Sequence, residues 1–195
     1  MKFNDNSSGL ALLKTRKSGS AKAMGEPGPT SEQLSEILSV AVRVPDHGKL
    51  TPWRFIVFEG DARLKAGDTI AAVFRDKRPD ATPDQVEHER RRLARAPLVI
   101  AVVSRAGPHV KIPEWEQVLS AGAAATSLVF AAHALGFAAS WLTEWYSYDR
   151  RVLDALGVAP EEKIAGFVHI GRQAKPIEDR PRPPLDQIVT RFGAN

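Results

Sequence analysis

Three short stretches carry side chains of the kind that hold anions. Thr15 to Ser18, TRKS, closes a helical pattern and opens a glycine-rich loop. The guanidinium fork of Arg16, the ammonium of Lys17 and the hydroxyl of Ser18 make the donor set of an anion clamp. Cations at a helix C-terminus also answer its dipole, so this stretch alone admits either use. Arg180 to Pro184, RPRPP, either keeps a tail extended or fixes the direction of Arg182. The third stretch, RVPDHGKLTPWRF, crowds Arg43, Asp46, His47 and Lys49 around Pro45 and Pro52. A plain connector needs polar residues, but not a charged cluster bracketed by two prolines.

Other chemistries find no support. There is no GxxxxGK[ST], no GxGxxG after a strand, no GxSxG and no HExxH. His47, His88, His109, His133 and His169 lack metal-ligand spacing, so no metal site is expected. The chain has no cysteine, which removes thiolate nucleophiles, disulfides, iron–sulfur clusters and Cys-based zinc sites. Glu87 to Pro97, EHERRRLARAP, looks at first like a nucleic-acid patch. Yet Glu87 and Arg91, and Glu89 and Arg92, stand at the spacing of a solvated helix face pairing its own charges. No aromatic residues interleave the run to stack bases, so a nucleic-acid partner is not expected.

The 195 residues, 43% hydrophobic and 26% charged, fit one globular domain over 1–195. A net charge of +4, with a pI near 9.5, is mild for a nucleic-acid binder and equally suits a phosphate-bearing ligand. The opening MKFNDNSSG lacks the apolar core of a secretory signal, and a cysteine-free chain tolerates a reducing compartment, so a cytoplasmic location is expected. Ala121 to Leu142 is uncharged and long enough to span a bilayer. Its Ala and Gly content, with Thr126, Ser127, His133 and a helix-ending Gly136, reads instead as a buried helix and a following strand. No membrane partner is expected.

The elements that must position these groups follow from periodicity. Gly9 to Arg16 reads as a short helix with Ser8 as N-cap, and Thr30 opens a second with Gln33 as capping-box partner. WRFIVFEG is apolar on both alternating faces and reads as an interior strand. Helices are predicted over Ala62 to Arg75, Pro83 to Arg95, Glu114 to Leu135 and Asp149 to Leu156. Ala96 to Ser104, FAASWLTEW and KIAGFVHIGR supply three more strands. Helices therefore alternate with strands around one sheet covered on both faces. The tail EDRPRPPLDQIVTRF is stiffened by proline and then turns apolar, as a segment reaching onto a second subunit would be.

Taken in order, these pieces resemble the FMN-dependent nitroreductase family. LLKTRKS resembles its opening helix ending in Arg-Arg-Ser, and AVRVPDHGKLTPWRFIVFEG its Pro-Trp-x-Phe signature. EWEQVLSAGAAATSLVFAAHALGFAASWLT resembles its long central helix and following strand, and RPRPPLDQIV its Arg-x-Pro-Leu segment. The wording PDHGKLTPW is most similar to the small, minimal nitroreductases of the bacterial YdjA type.

The resemblance implies an α+β three-layer sandwich, its central sheet mixed but mostly antiparallel. It further implies a homodimer with an exchanged C-terminal segment and an FMN at each subunit interface. Arg16, Lys17, Ser18 and Arg182 would then take the phosphate and ribityl oxygens, while Trp141, Leu142 and Thr143 line the ring edge. Arg43 and His47 would reach the partner's flavin. The implied activity is a ping-pong relay of hydride from NAD(P)H through flavin N5 to a small acceptor, a nitroaromatic, quinone or activated alkene. No catalytic side chain is required, because the flavin carries the chemistry. A same-fold flavoprotein with other chemistry, such as a flavin reductase or dehalogenase, and a non-catalytic flavin-binding module are the alternatives.

Three departures from the family pattern stand out. Asp46 and His47 replace serine. Asp46 is a carboxylate near a presumed phosphate site, unfavourable unless it pairs with Arg43 or Lys49. Ser20 stands where many members carry a cation that steadies the reduced flavin, and Lys22 is the nearest substitute.

Overall fold

The computed structural model describes residues 3–193. Local capping starts the early helices as the sequence predicts. Ser8 Oγ accepts from the Ala11 amide at 3.1 Å to begin α1 (Gly9–Thr15). Thr30 and Gln33 exchange side-chain-to-backbone bonds in a full capping box at the head of α2 (Ser31–Ala41). Between them lies a loop that also holds a 3₁₀ turn at Ala21–Ala23 and a two-residue strand, β1 (Met24–Gly25).

The rest alternates as expected: β2 (Trp53–Glu59), α3 (Ala62–Lys77), α4 (Pro83–Arg90), β3 (Leu98–Ser104), α5 (Glu114–Ala134), β4 (Ala138–Leu142), α6 (Arg150–Ala155) and β5 (Lys163–Gln173). Two predicted elements are shorter. The helix expected to reach Arg95 ends at Arg90, and Leu93–Arg95 forms a separate 3₁₀ turn. The strand expected through Trp145 stops at Leu142, with Trp145 opening another 3₁₀ turn.

β3 is central, lying between β2 and β5, and β4 flanks the other side of β5. β1 adds only a short pairing with the last residues of β5. Every pairing among the described residues is antiparallel. All seven residues of β3 are buried because both of its faces are covered. Ile100 and Val102 meet α2 and α5 on one face, while Val99, Ala101 and Val103 meet α3 and α6 on the other. The result is the expected three-layer arrangement.

β2 corrects the sequence reading. Phe55 and Val57 lean on the α2–α5 side and Ile56 and Phe58 on the α3 side, so both faces are covered. Among the described residues, however, β2 pairs only with β3 and forms the sheet edge. Apolar alternation reports what covers a strand's faces, not whether both of its edges are bonded.

The uncharged stretch is the core helix. α5 is the one described helix long and apolar enough to cross a membrane, yet it packs Ala125, Leu128 and Ala132 into the α2–sheet cluster. Gly136, at φ 79°, turns the chain out of the helix toward β4 as expected.

Candidate functional site

A cleft of about 400 Å³ opens where α1 ends beside β4 and α5. Arg16 and Ser18 line one wall, Trp141 and Thr143 another, and Thr126 and Val129 of α5 complete it. Its volume falls within the range of small-molecule sites. Four of the residues singled out from sequence therefore meet in one place. Thr126 and Val129 were missed; the signal available was a threonine one helical turn before a valine in an alanine-rich helix.

The 16–19 segment is tied down from both sides. Lys17 N–H donates to Asn4 Oδ1 at 2.9 Å, and Gly19 N–H donates to the Ala139 carbonyl of β4 at 3.1 Å. Arg16 Nη1 donates to Ser18 Oγ at 3.1 Å, which leaves the serine O–H free to donate elsewhere. On the opposite wall, Trp141 Nε1 donates to the Ala165 carbonyl at 2.9 Å, and its indole packs against Gly166 of β5. Only glycine at 166 permits this, since a Cβ there would sit 1.9 Å from Trp141 Nε1.

Electrostatics distinguishes this cleft from the rest of the surface. Burial, and then the charges of Arg182 and Arg180, press Arg16 below the ordinary guanidinium value. An arginine nevertheless keeps its proton near neutral pH, so the repulsion persists. Among the described residues no carboxylate pairs with Arg16, and the nearest acid to Arg182 is Asp179 at 3.6 Å, within the tail itself. Arg182 and Arg180 do not line the cleft themselves, but their charges act on Arg16 from the far end of the chain, and Asp179 is the one acid paired with any of the three among the described residues. An incoming dianion relieves that repulsion directly.

The remaining predicted residues lie elsewhere. Lys17 lines an adjoining hollow that shares Ser18 as its wall. Leu142 is half-buried at the end of β4 and does not line the cleft. Arg43 is exposed with no ion-pair partner among the described residues, and His47 Nδ1 lies 2.7 Å from Glu116 Oε2. His47 borders a second hollow with Glu116, Leu119 and Ala123, which share a stripe of α5 with Thr126 roughly one turn away.

Asp46 departs from expectation. It pairs with neither Arg43 nor Lys49; its carboxylate accepts the backbone N–H groups of Leu50 and Thr51 at 3.0 and 2.9 Å. The reason is local backbone geometry. Gly48, Lys49 and Thr51 all have positive φ, at 71°, 57° and 49°, and each non-glycine residue there costs roughly 1–2 kcal/mol. Ser120 Oγ then donates to the Pro45 carbonyl at 2.7 Å and accepts from Trp53 Nε1 at 3.1 Å, docking the connector on α5.

The arginine-rich segment is also reassigned in part. Glu87 and Arg91 pair at the surface as expected. Glu89 is only 5% exposed and turns inward, bonded to Arg92 and to Trp145 Nε1. Arg92 and Arg95 both donate to Glu144, at 2.7 and 2.9 Å, as does Tyr146 at 3.0 Å. This network braces the chain one residue beyond Thr143. Burial raises Glu89, but the bonds from Arg92 and Trp145 outweigh it and hold its carboxyl below the usual range.

Comparisons with known proteins bear on the family and the fold. The sequence pattern of the nitroreductase family matches residues 13–172. The Escherichia coli K12 protein named "Putative NAD(P)H nitroreductase YdjA" is 38% identical over 164 residues, 83% of this chain and 86% of that one. A solved nitroreductase-like family protein from Bacillus cereus superposes with a TM-score of 0.79 at 20% identity, covering 100% of this chain and 99% of its own. A variant of NfnB from Sphigopyxis sp. strain HMH, described as FMN- and NADPH-dependent, gives 0.74 at 19% identity over 96% of this chain and 100% of its own. The clamp, the Pro-Trp-x-Phe connector, the long helix and this agreement in sequence and fold lead to one conclusion: the chain belongs to the nitroreductase family.

Proposed function

We propose that the cleft binds FMN and that the protein is an NAD(P)H-dependent oxidoreductase of nitroreductase type. The observation that carries this reading is the cleft in which Arg16 and Ser18 meet Trp141 and Thr143, with the charges of Arg182 and Arg180 in the tail acting on Arg16. Arg16, Ser18 and Arg182 hold the phosphate, Lys17 answers the ribityl side, and Trp141, Leu142 and Thr143 position the ring edge. Each charge-assisted bond contributes about 1.5–3 kcal/mol, so losing one weakens binding about tenfold or more. Bound FMN supplies reversible hydride exchange, first with NAD(P)H and then with a small acceptor such as a nitroaromatic or quinone, in ping-pong order. The protein positions, excludes water with Val129 and the Trp141 indole, and needs no titrating side chain of its own.

The reading includes a homodimer. Leu12, Leu13, Val40, Phe130 and Leu135 line an apolar groove of about 340 Å³ between α1, α2 and α5. Leu185, Ile188, Val189 and Phe192 of the C-terminal segment are all exposed in one chain and suit such a groove on a partner. Arg43 and His47, fixed by the strained connector, then reach the partner's FMN. Mixing Arg43→Ala with Arg16→Ala protein tests this: after verified subunit exchange, heterodimers with one intact site recover bound flavin. No recovery counts against a shared site.

The first test of the activity is the visible spectrum of the purified protein, followed by NAD(P)H oxidation with nitrofurazone or a quinone as acceptor. A yellow protein that turns over both is expected. A colourless protein that neither takes up FMN nor oxidises NAD(P)H overturns the reading.

A further inference from the structure

Of the residues lining the hollow beside the cleft, only Lys17 and Ser18 enter the reading above. The hollow encloses about 450 Å³ between the 17–23 segment and the start of the tail, and Lys17, Lys22, Lys175, Ser20, Gln173 and Glu178 line it. Two ammonium groups from the 17–23 segment and one from the start of the tail face one carboxylate. Among the described residues none of these four charged side chains forms an ion pair. Other cations of the chain do find acids, as Arg54 with Glu162, Lys77 with Asp149 and Arg90 with Asp68 show.

A second observation comes from Gln173. Its Oε1 is buried with no hydrogen-bond partner. The amide lies against Gly19, where a Cβ would come within 2.2 Å of that oxygen. On the other side of the carboxamide the Nε2–H₂ group makes no hydrogen bond among the described residues, so it is a donor that an anion in the hollow can use. Mobile ammonium points, a hydroxyl at Ser20 and an amide donor form a set suited to the spread oxygens of a phosphate. Three positive charges against one negative match a dianion.

We propose that this hollow is a second phosphate site, taking a phosphate of the nicotinamide dinucleotide that reduces the protein. The assignment of the ligand rests on the FMN reading of the neighbouring cleft; the assignment of an anion site does not. Two sources share the chemistry: the diphosphate common to NADH and NADPH, and the 2′-phosphate of NADPH alone.

Calorimetric titration of inorganic pyrophosphate into the FMN-loaded protein provides the test, with the Lys22→Gln/Lys175→Gln double variant as comparison. Both lysines are exposed, so the variant leaves the core intact, and its melting temperature checks this. One pyrophosphate is expected to bind with FMN retained, at least tenfold more weakly in the variant. The variant's KM then rises for NADH and NADPH alike if the diphosphate sits there, and for NADPH alone if the 2′-phosphate does. Absence of saturable binding, equal binding by the variant, or release of FMN as pyrophosphate enters overturns the second site. Lost pyrophosphate binding with both KM values unchanged overturns the dinucleotide as its occupant. Should the protein take up no FMN, the same titration on the flavin-free chain still tests the hollow, separating that failure from failure of the functional reading.

Discussion

The connector at 43–55 and the segment at 16–22 are both short, both rich in charge, and both lie against α5 or its neighbour β4. They use charge in opposite ways. In the connector, Asp46 bonds two backbone amides and His47 faces Glu116, so its acid and its histidine are engaged within the chain while Arg43 and Lys49 stay exposed. In the 16–22 segment Arg16, Lys17 and Lys22 have no acid partner among the described residues, and the charges of Arg182 and Arg180 act on Arg16. Charge that finds its partner inside the chain maintains shape, and charge left unmatched in a concavity is available to a ligand. Only the second kind should trade stability for affinity.

The strongest way to break that contrast lies in the buried network. Glu144→Ala strands Arg95, whose side chain is 9% exposed, without its carboxylate and leaves Arg92 to Glu89 alone. Removing one member of such a pair costs about 3–5 kcal/mol, read as a lowered urea midpoint. A change below about 1 kcal/mol would show that these matched charges do not maintain shape.

Gly166→Ala comes next. The added methyl displaces the Trp141 indole and breaks its bond to Ala165, costing about 1–3 kcal/mol and weakening FMN binding as well. Full retention of flavin affinity removes Trp141 from the site. Asp46→Ala sharpens the contrast from the other side. Two amides lose their acceptor, and denaturation should show a loss of about 1 kcal/mol. Affinity that falls by more than this stability loss explains would place the connector at the cofactor of the assembled protein.

The smallest effect is the pH dependence of stability. His133 and His169 are fully buried, and burial lowers both from an ordinary value of 6.5. Folded-state values below the unfolded one mean that the unfolded chain binds more protons on acidification. Their contribution is therefore fully present above pH 6.5 and declines as pH falls toward the folded values. Melting temperatures measured between pH 7.5 and 5.5 should fall, and His133→Gln should flatten the slope. An unchanged slope assigns the acid sensitivity to other groups.

What was legible in the sequence was mostly local. The Ser8 cap, the Thr30–Gln33 box and the adjacency of Arg16 and Ser18 depend on residues within three positions, and they stand as read. Long-range pairing was not legible. The edge position of β2 depends on strand order, which apolar alternation does not encode. Glu89 and Arg92 do stand at helical spacing, but Glu144, 52 residues from Arg92, turns that pair inward. Gly166 looked like any strand glycine until Trp141, on a neighbouring strand, lay across it. Asp46 was read through its charge, whereas the backbone conformation around it decides its role.

The central claim is that the guanidinium groups of Arg16 and Arg182 hold the phosphate of a flavin. Titrating the flavin-free protein with FMN and with riboflavin, which lacks only that phosphate, follows the claim most directly through quenching of flavin fluorescence. FMN should bind at least about 100-fold more tightly, the worth of two charge-assisted bonds, and Arg16→Gln should remove about tenfold or more of that margin without lowering the ligand-free melting temperature. Equal affinity for the two flavins, or an Arg16→Gln variant that still prefers FMN by the full margin, would contradict it.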